Sequence, residues 1–397
     1  MNILYLHQYF TTPDQPGGTR SYWNSLELLK NGHKVTVISL GKENKKRFER
    51  KTVDGIDVIY VRVPYSQTMS IASRLKSFLH FMFFSTYLAL KEKNIDFVIA
   101  TSTPLTIGFP ALVLKKLKKI PYLFEVRDLW PEVPIQMGGL NNKTAIKLAK
   151  WFERSIYKNA SHVIALSPGM QEGVLKEGTP NSKVSMIPNM AKIDAFWARE
   201  PNMALMQELN LDKNTFKIIY FGAFGQANAI EYILETALLL KENKTIEFLF
   251  IGSGPGKELI ENYNVKDGCN NVTYLGFFNM EKTSEIVNFC DISLVTFSNL
   301  PILATNSPNK LFDSLSAEKP IIVNSAGWTK DLVENHNCGI FVDPESPQDF
   351  ANKIITLKND PDKLTLMGKN SRKLAETVYD KSLLCEQFAT VVNNIKI

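Results

Sequence analysis

The chain has 397 residues, 44% of them hydrophobic and 22% charged, with a formal net charge of +6. That length exceeds one ordinary core and calls for two domains, and that composition excludes a disordered or fibrous chain. The four cysteines form no CxxC pair and the five histidines show no ligand spacing, so neither a disulfide scaffold nor a dedicated metal site is expected.

The opening, MNILYLHQYF, has no basic stretch before its apolar residues and no small-residue cleavage site. A cytoplasmic location is therefore expected. Short β-branched runs then alternate with helical patterns. In the first half, strands are expected at Asn2–His7, Lys34–Leu40, Ile56–Val63, Phe97–Ser102, Tyr122–Val126, His162–Ser167 and Val184–Pro188. In the second they are expected at Lys217–Gly222, Glu247–Gly252, Val272–Gly276, Ile292–Phe297, Ile321–Asn324 and Gly339–Val342. Near-continuous apolar strands separated by helices indicate parallel sheets covered on both faces. Right-handed crossovers make each a doubly wound, Rossmann-like α/β sheet. The pattern restarts near residue 216, after the polar stretch Met190–Asn214, where the linker is placed. Residues 1–190 form the first domain, 191–379 the second, and 380–397 a helix expected to return to the first. In such sheets ligands sit beyond the carboxyl ends of the strands, in a cleft here shared by two facing domains.

Charge is uneven. Residues 1–190 hold 26 Lys and Arg against 14 Asp and Glu, a net of +12, while the remainder is at −6. The first domain is thus suited to an anionic surface. No nucleic-acid motif accompanies it, so nucleic acid is not the expected partner. Ile71–Leu90 reads as a helix apolar on nearly every side after Arg74 and Lys76, too short in its uncharged part to span a bilayer. It is either a buried helix or one lying in a membrane interface, with Lys115, Lys116, Lys118, Lys119 and the Lys42–Lys51 loop as a basic collar.

Gly17-Gly18 follows the first strand and precedes the helix expected at Ser21–Asn31. A glycine pair there lets backbone N–H groups approach a phosphate, or simply makes a turn. Asn31-Gly32 caps that helix, and His33 is expected to be structural. Farther on, Pro308 opens a helix whose first amides, at Asn309 and Lys310, would point at an anion favoured by the helix dipole. Lys310 adds a full positive charge, and Asp313 can accept two hydroxyl hydrogen bonds.

Five stretches in order carry a resemblance. GGTRSYWNSLELLKNGHKVTVIS, EVRDLWPE, SMIPNM, YFGAFGQANAIEYILETA with FIGSGPGKELIE, and SPNKLFDSLSAEKPII together resemble family 4 glycosyltransferases, the retaining enzymes of GT-B fold. The resemblance is nearest to the N-acetyl-fucosamine transferases of O-antigen and capsule assembly. It implies donor-binding roles for Gly17, Gly18, Arg20, Gly225, Asn228, Gly254, Ser307, Asn309, Lys310, Leu311 and Asp313. It implies catalytic roles for Arg127, Asp128 and Lys310, and acceptor-side roles for Trp130 and Glu132. Arg127 and Asp128 either face the reacting centre or pair with each other. The resemblance also implies a UDP-sugar donor, a polyprenyl-diphosphate-linked saccharide acceptor, an anionic membrane surface as a peripheral partner, and neither metal nor cofactor.

The chain departs from the family pattern in three places. Thr305 stands where an earlier glutamate usually contacts the donor sugar, and Arg127 where a histidine usually reaches its 6-hydroxyl. The usual Arg and Lys after the first strand of the second domain are replaced within GQANAIEY. These changes point to a 6-deoxy amino sugar such as N-acetyl-fucosamine. Two other readings compete: a nucleotide-sugar 2-epimerase of the same fold, and a non-catalytic sugar-nucleotide or lipid-binding subunit.

Overall fold

A computed structural model of the protein describes residues 1–15, 17–41, 46–66, 69–267 and 269–395. In the first half, strands β1 (Asn2–Leu6), β2 (Lys34–Leu40), β3 (Phe48–Val53), β4 (Ile56–Val61), β5 (Phe97–Thr101), β6 (Tyr122–Val126), β7 (His162–Ala165) and β8 (Val184–Met186) form one sheet. Between and after them run helices α1 (Arg20–Lys30), α2 (Ile71–Lys91), α3 (Gly108–Lys118), α4 (Glu132–Gln136), α5 (Lys143–Asn159) and α6 (Pro168–Lys176). In the second half α7 (Met203–Glu208) leads into β9 (Phe216–Ala223), α8 (Ile230–Leu239), β10 (Ile246–Ser253), α9 (Lys257–Asp267), β11 (Val272–Gly276), α10 (Met280–Asn288) and β12 (Ile292–Val295). There follow α11 (Asn309–Ser316), β13 (Ile321–Val323), α12 (Trp328–Asn335), β14 (Gly339–Phe341), α13 (Pro347–Lys358), α14 (Pro361–Thr377) and α15 (Lys381–Asn394).

The central strands are apolar throughout because both faces are covered: every residue of β5, β6 and β12 is buried. The first sheet has the order β3-β4-β2-β1-β5-β6-β7-β8 and the second β11-β10-β9-β12-β13-β14. All pairings are parallel except that of β3 with β4. The order reverses beside β1 in one sheet and beside β9 in the other, so the crevices lie over β1/β5 and β9/β12.

β3 corrects the expected basic loop. Phe48–Val53, sequence FERKTV, is an antiparallel edge strand, and Lys51 pairs with Glu49. Its charges blunt the sheet edge, which is the usual way an exposed edge avoids pairing with another chain. Residues 42–45 of that loop lie outside the described residues. α2 is also not simply a core helix. Phe78, Phe81 and Leu88 are buried, whereas Ile71, Leu75, Leu79, Phe83 and Tyr87 stand exposed at every fourth position.

The chain crosses between the sheets twice at one place. Ala191 bridges Asp380, with Ala191 N donating to Tyr379 O at 2.7 Å and Lys381 N to Ala191 O at 2.9 Å. Beyond the second crossing α15 packs on the first sheet. Phe388 stacks with Tyr5, the Lys381 ammonium sits 3.8 Å from the centre of the Trp23 ring, and Asn393 Oδ1 is 2.7 Å from His33 Nε2. His33 has the structural role expected of it.

One buried ion pair joins three segments. Arg20, at the start of α1, donates from Nε to Glu125 Oε1 of β6 at 2.7 Å. Its other nitrogens donate to the carbonyls of Ile187 (3.0 Å) and Pro188. Burial alone would raise the Glu125 carboxyl, but Arg20 and Arg127 beside it and the Thr101 hydroxyl hold it below the usual carboxylate range. A lowered folded-state value means stability that is present above the unfolded value and lost as pH falls through the folded one. Arg20→Ala leaves Glu125 buried without its bonded guanidinium, and is expected to cost about 3–5 kcal/mol in urea unfolding at neutral pH. The deficit should shrink in acid, where the orphaned carboxyl takes up a proton.

Candidate functional site

Between the two sheets lies a cavity of about 240 Å³, lined by His7, Tyr9, Gly18, Thr103, Arg127, Asp128, Leu166, Asn189, Ser307, Pro308 and Asn309. The strand ends supply it. His7 follows β1, Thr103 follows β5, Arg127 and Asp128 follow β6, and the segment 307–309 opens α11. Gly18 lies between the parts from the two domains. A Cβ there would meet Arg127 Nη2 at 3.0 Å and Asn309 Nδ2 at 3.2 Å. Gly17, at φ +137°, brings the loop to that point.

His7 is buried between two partners. Its Nε2 is 3.1 Å from Arg127 Nη1, and its Nδ1 is 2.6 Å from Ser21 Oγ. A guanidinium only donates, so Nε2 accepts, and the ring proton sits on Nδ1 facing Ser21. Burial, and then the Arg127 charge, push the imidazole well below its ordinary value. His7 is therefore a neutral prop that aims Arg127. The main-chain N–H of Arg127 donates to Ser102 Oγ at 2.9 Å. Asp128 accepts from Thr103 Oγ1 at 2.6 Å, and burial raises its carboxyl against that bond and the Arg127 charge. Arg127 and Asp128 both line the cavity, and each side chain is bonded to a neighbour other than its fellow.

The second domain brings a helix start and an ammonium. α11 has no side-chain cap at Pro308, so its first amides open onto the cavity. Lys310 Nζ lies 3.8 Å over the Tyr220 ring, donates to the Tyr220 hydroxyl and is 3.4 Å from Asn228 Oδ1. Tyr220 in turn donates to Ala223 O at 2.8 Å. A Cβ at Gly222 would stand 3.4 Å from Lys310 Cε, so bare backbone forms this wall. Burial pulls the Lys310 ammonium down to about 7. Asp313, one turn on, faces Lys192 of the interdomain crossing at 2.7 Å. Burial raises its carboxyl and Lys192 opposes the rise.

The crossing and the cavity share bonds. Asn189 N donates to Ser307 Oγ at 3.3 Å and Asn189 Nδ2 to Ser307 O. Ser167 Oγ donates to Thr305 O, and a Cβ at Gly169 would come within 2.8 Å of Thr305 Cγ2. The position where relatives are expected to carry a sugar-binding glutamate is thus packed against α6.

Two expected site residues, Arg20 and Leu311, are corrected, and two more, Gly254 and Glu132, have further partners. Arg20 binds no donor group: it is 2% exposed and its donors are spent on Glu125 and two carbonyls. Leu311 is fully buried in the core, and its amide donates to Pro308 O at 3.1 Å. Gly254 is required by packing, because a Cβ there would lie 2.8 Å from Phe224 O. Glu132 accepts from Gln136 at 2.9 Å and pairs with Lys150 at 3.4 Å, away from the cavity lining. Gly225 and Asn228 form the turn below Lys310, where Asn228 N donates to Gly225 O at 2.9 Å. Trp130 is half-buried against Phe78, its ring 6.1 Å away. Sequence reasoning missed His7, Tyr9, Thr103 and Asn189 of the cavity lining, and Lys192 beside Asp313. The rule that ligands sit beyond strand ends marks His7, while nothing in the sequence links Lys192 to Asp313. A larger hollow of about 420 Å³ beside α7 and α10 is lined by Glu208, Glu281, Lys282 and Glu285 among others, and shares no residue with this cavity.

Residues 17–190 match a family model described as Glycosyl transferase 4-like domain, and residues 202–374 one described as Glycosyl transferases group 1. The chain is 25% identical over 391 residues to the putative colanic acid biosynthesis glycosyl transferase WcaI of Escherichia coli (strain K12), covering 93% of each. Among solved structures it resembles sucrose-phosphate synthase from Thermosynechococcus elongatus, with a TM-score of 0.77, 17% identity and coverage of 99% and 98%. It also resembles Anabaena HepE in complex with UDP-glucose, with a TM-score of 0.72, 17% identity and 99% coverage of both chains. These likenesses show two facing GT-B domains.

Lys310 gives the site a pH dependence. A diphosphate bound beside it favours the charged ammonium, so binding takes up a proton once the free site has lost it. Diphosphate affinity should be level below about pH 7 and fall as pH rises past that value, by up to about tenfold per pH unit. Calorimetric titration with a nucleoside diphosphate in buffers of different ionisation enthalpy reads both effects, and in Lys310→Met this component should vanish.

Proposed function

The chain belongs to the GT-B glycosyltransferases of family 4, and from that premise we propose a retaining transfer from a UDP-sugar to a lipid-linked saccharide in surface polysaccharide assembly. One observation carries the reading: the uncapped start of α11, at Pro308 and Asn309, lines one interdomain cavity together with Arg127, and Lys310 is buried directly behind that helix start. Such a cradle fits a diphosphate that gains charge as it leaves, and stabilisation that grows in the transition state is what accelerates the step. Asp313, paired with Lys192, is placed to accept ribose hydroxyls. The departing diphosphate takes the acceptor proton on the face it leaves, so no protein nucleophile is required. Positioning by Arg127 and Asp128 supplies the rest. The E. coli relative's description supports a surface polysaccharide, and the HepE complex supports a UDP-linked donor.

We propose that the donor sugar is a 6-deoxy N-acetylamino sugar such as N-acetyl-fucosamine. Thr305 is packed against α6 rather than turned to a sugar, and Arg127 is held by His7. The usual glutamate contact to the donor sugar and the usual histidine at its 6-hydroxyl are thus both replaced. The diphosphate is neutralised by Lys310 and helix amides, without a metal. Nucleotide release should be fastest with UDP-N-acetyl-fucosamine in a panel that includes UDP-glucose and UDP-N-acetylglucosamine, and should persist in EDTA. Preference for the 6-hydroxy donors refutes the sugar, and a requirement restored by Mg²⁺ refutes the metal-free reading.

The site works at the cytoplasmic face of a membrane in this proposal. Among the described residues no helix is long and apolar enough to cross one. The neighbouring helices α3 and α5 expose Leu117, Leu148 and Trp151 among Lys116, Lys118, Lys119, Lys143, Lys147 and Lys158. Each basic group near an anionic surface contributes about 1 kcal/mol. Sedimentation with phosphatidylglycerol vesicles should succeed, weaken with salt, and fall when Lys115, Lys116, Lys118 and Lys119 are neutralised. Equal binding to neutral vesicles overturns this part.

A further inference from the structure

One row of side chains beside the cavity has no part in the donor chemistry. Tyr9 lines the cavity, and its ring centre lies 5.2 Å from that of Tyr65. Tyr65 lies 5.8 Å from Phe78 of α2, and Phe78 meets Trp130 edge-on at 6.1 Å. The row leads out of the cavity onto the first turns of α2. There Ile71, Leu75, Leu79 and Phe83 are 55%, 52%, 45% and 66% exposed. Spacing by four residues places them on one ridge of the helix. A ridge this apolar on a surface asks for a covering partner.

Arg74 stands between the row and the ridge. It lies one turn before Phe78, is half-buried, and is close enough to Tyr9 for its charge to act on that phenol, against burial and Tyr65. Among the described residues no carboxylate pairs with it. From the cavity outward the surface therefore presents the reacting centre, aromatic faces, a cation without a carboxylate partner among the described residues, and an apolar ridge. A saccharide joined through phosphate to a hydrocarbon chain has its parts in the same order.

We propose that this face is the acceptor path: the saccharide lies against Tyr9 and Trp130, its phosphate on Arg74, and a prenyl chain along Ile71, Leu75, Leu79 and Phe83. The inference rests on the transferase reading above and gives its acceptor a place. It assigns the α2 ridge a different role from the one proposed above for the lysines of α3 and α5. Sugar rings present C–H faces that pack on aromatic side chains, and the phosphate gains a charge-assisted bond to the guanidinium.

The test keeps the full chain and saturates it with UDP, so that the α11 site is occupied. Calorimetry then follows farnesyl diphosphate, farnesol and inorganic pyrophosphate. Farnesyl diphosphate should bind, and Arg74→Gln should weaken it by about tenfold while leaving farnesol and UDP binding unchanged. Leu75→Ser should weaken farnesyl diphosphate and farnesol alike. Both residues are on the surface, and an unchanged melting temperature shows that the fold is intact. Unaltered farnesyl diphosphate affinity in Arg74→Gln overturns the path, as does pyrophosphate binding as tightly as farnesyl diphosphate. A matching loss of phosphatidylglycerol vesicle binding in Arg74→Gln also overturns it, by showing a headgroup site instead. Failure of the wild type to bind UDP at all overturns the transferase reading itself and is seen before any prenyl compound is added.

Discussion

The contact between Arg20 and Glu125 is the constraint on which the site depends. It is buried, and one guanidinium reaches β6 and the carbonyls of Ile187 and Pro188. From Arg20 the chain runs back two residues to Gly18, from Glu125 forward two residues to Arg127, and from Pro188 forward to Asn189. Three of the segments that line the cavity are therefore referenced to one ion pair. Such a pair adds little net stability compared with an apolar packing of the same volume. What it does here is fix three backbone segments to a common origin, the supporting shell that a preorganised site needs.

The two halves of the site hold opposite kinds of readiness. On the first domain, Arg127 is charged and propped by a neutral imidazole. On the second, Lys310 is buried against an aromatic ring, and its charge is discouraged until an anion arrives. An ammonium desolvated in advance has little hydration to lose on binding. Its attraction to a developing negative charge is then felt at low local dielectric rather than through water.

The apolar framework was legible in the sequence because parallel strands covered on both faces have no alternation to hide them. β1, β2, β5, β6 and the strands of the second sheet fall where apolar runs predict. β3 was not legible, since FERKTV carries a charge at three of its six positions and pairs only at an edge. The start of α11 was legible from SPNK, where proline and a following lysine announce a helix that opens on an anion. Leu311 shows the limit of that reasoning, as a residue inside a binding motif can serve the core. Arg20 was misread because it adjoins a glycine pair, while its true partner lies 105 residues away. Pairings of that span, like Lys192 with Asp313 or Gly169 with Thr305, arise from the packing of two domains and leave no mark on a single sequence.

The position of α15 bears on how the protein is made. The helix is synthesised after both sheets, yet its Phe388 stacks on Tyr5 of the first strand and its Asn393 meets His33. The first domain therefore stays open on its α1 side while the second is being translated, with the place for Phe388 uncovered. Contacts of such sequence separation form late and slow the search for the native state. The nascent first domain, apolar at that flank, is the species most exposed to aggregation or to chaperones during synthesis.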